Sequence, residues 1–92
     1  MIIRWSRLAE RDLAGIESHI MRNSPAAARR MVAHIIGLID DLADFPDSGR
    51  IGSVKGTREK LALPFPYVIV YESLSTRKEI WIARIYHMAQ DR

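Results

Sequence analysis

Ninety-two residues give room for one domain, expected here to span residues 1–92, because a chain this short buries only a modest share of its surface and has no area for a second core. Apolar residues make up 48% and charged residues 27%, with no cysteine, no linker-like run and no apolar stretch near the roughly 20 residues that cross a bilayer; disulfide frameworks, thiolate zinc sites and membrane spans are excluded, and a cytoplasmic protein is expected. The net charge of +3 is uneven: residues 1–49 carry six Lys/Arg against seven Asp/Glu, and residues 50–92 carry eight against four, so a phosphate-facing surface or a solvated cationic face belongs to the second half.

Met1 to Trp5 is short, apolar and β-favouring, which predicts a strand, and Ser6 stands where its oxygen can cap a helix. Ala9, Leu13, Ile16 and Ile20 then form one apolar stripe at helical spacing. Asn23-Ser24-Pro25 breaks that helix and opens a second, with Ser24 as cap and Pro25 at a position where a missing N–H costs nothing. The second helix has a stripe of Ala28, Val32, Ile35, Ile39 and Leu42, a neighbouring one of Met31, Leu38 and Phe45, and a stop at Phe45-Pro46. The first stripe fits a sheet, and the second fits either the preceding helix or an external partner.

Residues 47–56 read as a loop carrying Arg50 and Lys55. Residues 57–63 alternate as a strand, with Leu61 and Leu63 taken as the covered face and Arg58, Lys60 and Ala62 as the open one. After the turn Pro64-Phe65-Pro66, the run Tyr67 to Tyr71 has the character of a central strand, and residues 79–87 follow a polar turn as another. Short turns predict antiparallel pairing. The order is β-α-α-β-β-β, an α+β fold in which a helical hairpin covers one face of an antiparallel sheet.

No phosphate loop, dinucleotide fingerprint, HExxH motif or nucleophile elbow is present, so neither a cofactor nor a metal is expected. His19 and His34 fall on helix flanks and read as solvated. His87 closes the last strand, where alternation sets Arg84 and Tyr86 on one face and His87 on the other or beyond the strand end. If Arg84 shares the open face with Arg58 and Lys60, these residues and the loop cations Arg50 and Lys55 form a basic concavity, with Tyr86 as a plane on which a base can stack. Cleaving RNA requires deprotonating a 2′-OH, holding a phosphorane with cations and protonating the leaving 5′-oxygen, chemistry for which arginines and either Glu59 or His87 are suited.

The segments GTREKLALPFPYVIVYE (56–72) and IWIARIYHMAQD (80–91) resemble the carboxy-terminal signature of the RelE/ParE toxin superfamily. The first strand, the Ala9-Glu10-Arg11-Asp12-Leu13 opening of the first helix and the Phe45-Pro46 stop before Gly49-Arg50 agree with it, so the resemblance covers nearly the whole chain. It implies the toxin of a type II toxin–antitoxin (plasmid-stabilisation) system, held inactive by a cognate antitoxin, in some cases as a heterotetramer. It also implies one of two actions: ribosome-dependent cleavage of mRNA, with Arg58, Arg84 and His87 as catalytic residues and Arg50, Lys55, Lys60 and Tyr86 binding RNA or target, or inhibition of DNA gyrase without catalysis. An inactive antitoxin-binding module is a third outcome. Met88 and Ala89 stand where many relatives have a further arginine.

Overall fold

The structure is a computed structural model that describes residues 1–90; Asp91, the last residue of the 80–91 signature, and Arg92 lie outside the described residues. The first strand, β1, covers Ile2–Trp5, and the helices α1 and α2 cover Arg7–Met21 and Pro25–Asp41. Both serine caps form as the sequence implies: the Ser6 hydroxyl accepts from the Ala9 N–H at 3.0 Å and the Ser24 hydroxyl from the Ala27 N–H at 3.1 Å. Ser6 does more than cap, since its own O–H donates to the Ala83 carbonyl at 2.8 Å and fastens the start of α1 to the last strand.

The remaining strands are β2 (Arg50–Ile51), β3 (Arg58–Leu61), β4 (Tyr67–Leu74) and β5 (Glu79–His87), and the sheet runs in the order β1-β5-β4-β3-β2. Two features differ from the sequence reading. The sheet is mixed, because β1 pairs in parallel with β5; the short-turn argument governs only strands joined by short turns, and both helices and three strands intervene in the chain between β1 and its one neighbour. Within the expected 47–56 loop, Arg50 and Ile51 add a two-residue antiparallel strand to the edge of β3.

The core lies between the two helices and one face of the sheet. Ile69, Tyr71, Ile80, Ile82 and Ile85 from the strands meet Ala9, Met31, Ile35, Ile39 and Leu42, all of them buried. A fully buried Ile contributes about 1.5–3 kcal/mol over an exposed one, so this layer supplies most of the driving force. Met31 and the half-buried Leu38 turn the second stripe of α2 inward, while Phe45 stays 64% exposed. In β5 the inward spacing changes from two residues to three, Ile80, Ile82, then Ile85, because the register slips: Tyr71 faces Ile82 and Val70 faces Arg84, leaving Ala83 as the extra residue of a bulge.

Candidate functional site

Side chains directly opposite each other on paired strands share a face, so the register assigns every candidate to a side. One row across the sheet is Arg50, Glu59, Val70, Arg84. A second is Leu61, Val68, Tyr86. Val68 and Val70 lie outside the helix-side core cluster, so both rows belong to the open face. Arg58 faces Tyr71 and Lys60 faces Ile69, both core residues, and His87 faces Tyr67, which places Arg58, Lys60 and His87 on the helix side. Lys55 is exposed in the turn before β3.

Arg84 and Tyr86 therefore share the open face and His87 takes the other, as alternation implies, but the expected cluster of Arg58, Lys60 and Arg84 on one face does not form. Alternation within β3 is as read; the side is reversed. Ala62 is fully buried in the core and Leu63 is 59% exposed, so the small residue takes the covered side and Leu61 sits beside Val68 and Tyr86 instead.

Each arginine is also engaged. Arg58 donates to the Gly49 carbonyl at 2.8 Å and approaches the Asp47 carboxylate at 3.6 Å. Next to it the buried Tyr71 hydroxyl donates to the Pro46 carbonyl at 2.7 Å and accepts from the Gly49 N–H at 2.9 Å, so Arg58 and Tyr71 together clamp the 46–49 segment. Gly49 is required by this approach: a Cβ there would lie 2.7 Å from the Tyr71 ring. Arg50 donates through Nε and NH2 to Oε1 of the buried Glu59, at 3.1 and 2.9 Å. Arg84 donates through Nε and NH2 to both oxygens of Asp12 on α1, at 2.8 and 3.2 Å, and Asp12 accepts the Ile85 N–H at 2.9 Å as well. The hydrogen bond to Asp12, and then its charge, raise the Arg84 guanidinium above its ordinary pKa, so it is cationic at any physiological pH.

A cleft of about 400 Å³ opens between α1 and the ends of β4 and β5, lined among others by Arg11, Gly15, His19, Tyr67, His87 and Gln90. His87 meets Tyr67 edge to face, with ring centroids 5.4 Å apart, and its Nδ1 accepts the Ala89 N–H at 3.0 Å. His19 accepts from the Arg22 guanidinium through Nδ1 at 3.0 Å. Sequence reasoning left Arg11, Asp12, His19 and Tyr67 aside. The signal that could have found Arg11 and His19 is the spacing 11, 15, 19, one flank of α1 just off its apolar stripe. Among the described residues no group of acidic, His or Cys side chains is arranged to hold a metal ion.

The comparisons with known proteins agree with this architecture. A family model described as the ParE toxin of the type II toxin–antitoxin system, parDE, matches residues 3–92. The chain belongs to the ParE toxin family. It is 39% identical to a putative toxin, Y4kP, of Sinorhizobium fredii, over 96% of this chain and 88% of that one, and 36% identical to Toxin RelE2 of Caulobacter vibrioides, over 94% and 93%. Among solved structures, a chain of the chromosomal ParDE toxin–antitoxin system from P. aeruginosa superposes with a TM-score of 0.81 at 28% identity, covering 95% of each chain. This ParE-family chain is thus the toxin of a type II toxin–antitoxin system within the RelE/ParE superfamily, and its family partner is an antitoxin. Among the described residues no helix is long and apolar enough to cross a membrane.

Proposed function

We propose that this toxin arrests growth by binding its target, as a ParE-type inhibitor of DNA gyrase, and not by cutting messenger RNA on the ribosome. The observation that carries this reading is the dispersal of the expected nuclease residues. Catalytic groups must each come within about 2.6–3.2 Å of the reacting atoms. Arg58 and Arg84 leave the sheet on opposite faces from strands two spacings apart, about 10 Å at the backbone, and their guanidinium groups are held at separate anchors, the Gly49 carbonyl and Asp12 of α1. Arg50 and Arg84 do share a face, but three strand spacings part them, about 14 Å at the backbone. Arg50, Arg58 and Arg84 support the fold through Glu59, Gly49 with Asp47, and Asp12.

A surface that binds without catalysis needs no such convergence. The open face offers one suited to contact, with Leu61 and Tyr86 flanking the buried Val68 and the ion-paired Arg50 and Arg84 at either end of the neighbouring row. The test sets two assays side by side with the purified chain: supercoiling of relaxed plasmid by gyrase, and cleavage of a messenger on programmed ribosomes. Loss of supercoiling with intact messenger is the expected result; specific messenger cuts with unaffected gyrase would reverse the assignment.

A further inference from the structure

The cleft between α1 and the ends of β4 and β5 is walled by donors. Arg11 has no partner among the described residues and lines it from α1. The Nδ1 atoms of His19 and His87 both accept hydrogen bonds, from Arg22 and from the Ala89 N–H, which leaves Nε2 of each neutral ring as its N–H donor. The Gln90 side-chain oxygen accepts the His87 N–H at 2.8 Å, so the donors of its amide are what it has left to offer. The carboxylate on the wall, Asp12, is already satisfied by Arg84 and the Ile85 N–H.

Tyr67 supplies a second, separate observation. It is only 7% exposed, borders the cleft, and its hydroxyl has no hydrogen-bond partner among the described residues. Among the described residues no fully buried side-chain polar atom lacks a partner, so that hydroxyl keeps access to the open cleft and can donate to a ligand atom that enters. Gly15 adds a third. Glycine weakens the middle of a helix, yet no atom lies within 4 Å of where a Cβ would stand, so packing does not demand it; what its missing side chain does is leave the cleft open.

From this lining, in which the uncommitted groups are donors and the carboxylate is already paired, we infer that the cleft is a binding site for the phosphate group of a nucleotide. Donors arrive from two walls, α1 on one side and β4, β5 and Gln90 on the other, which suits the several acceptor oxygens of a tetrahedral phosphate better than a planar carboxylate with two. The apolar side chains of Ile16 and Ile85 and a volume of about 400 Å³ leave space for the attached sugar. The phosphate belongs either to a free nucleotide or to a nucleic-acid strand. The site goes beyond the gyrase reading and does not rest on it.

The test is titration of the full chain with adenosine 5′-monophosphate, and separately with a short single-stranded oligonucleotide, followed by amide and imidazole NMR shifts. Saturable shifts confined to the 11–19 flank of α1, Tyr67 and residues 85–90 are expected, weakened at least tenfold in Arg11→Ala and in Gly15→Leu. Gly15→Leu fills the cleft while favouring helix, so its melting temperature should not fall, and loss of binding in it reports occupancy rather than unfolding. Tighter binding of the oligonucleotide identifies a strand as the source, and equal binding a free nucleotide. Absence of saturation up to about 10 mM, shifts elsewhere, undiminished binding by both variants, or equal binding of acetate or an acidic peptide would each overturn the proposal.

Discussion

At the scale of single residues, the cations of this toxin act as brackets. Arg58 reaches past the core to hold the Gly49 carbonyl, and its side chain is 29% exposed, so removing it costs more than a typical surface change. Arg58→Ala should destabilise the chain by about 1–2 kcal/mol, the price of an orphaned carbonyl and a lost ion pair, and lower the melting temperature by roughly 4–8 °C per kcal/mol. Gly49→Ala meets the Tyr71 ring and the Glu59 carbonyl and should cost about 1–3 kcal/mol in the same melting experiment; an unchanged curve would show that the 46–49 segment moves aside freely. Asp12 is the third bracket. Its contact with Arg84 is half in water and weak by itself, but Asp12→Ala also strips the Ile85 N–H of its acceptor, so chemical denaturation should show a larger loss for Asp12→Ala than for Arg84→Ala.

At the scale of elements, most of the architecture was legible because it rests on periodicity and caps. Ser6 and Ser24 begin their helices where the sequence places them, and the stripe Ala28, Ile35, Ile39, Leu42 is buried. What escaped has identifiable causes. The parallel partner of β1 is set by long-range packing, about which local turns carry no information. The face of β3 was misjudged because large apolar residues were assumed to point inward, whereas the sheet under the helices admits Ala62 and sends Leu61 to the open side. The bulge at Ala83 does have a trace in the sequence, the spacing Ile80, Ile82, Ile85, which strict alternation cannot explain. Helix α1 carries a prediction of its own: with open space around Gly15, Gly15→Ala should stabilise the chain by about 0.5–1 kcal/mol, read as a higher melting temperature.

For the whole molecule, folding pairs three arginines of the basic second half with acids, while among the described residues no ion pair involves Lys55, Lys60, Arg77 or Lys78. Acids of the first half neutralise cations of the second, Asp12 with Arg84 and Asp47 with Arg58, and Glu59 takes Arg50. A count of charges along the chain could not reveal this, because each of the first two pairs joins segments that only the tertiary fold brings together. The candidate site shifts accordingly, from an imagined concavity on the sheet to a donor-lined cleft beside α1, of which His87 alone was among the expected residues. That the arginines hold the fold and do not cut RNA is tested most directly by measuring growth arrest and thermal melting together for Arg58→Ala, at a temperature well below its midpoint. Retained arrest with a lowered midpoint is the predicted result; arrest lost while the midpoint stays at the wild-type value would contradict the account.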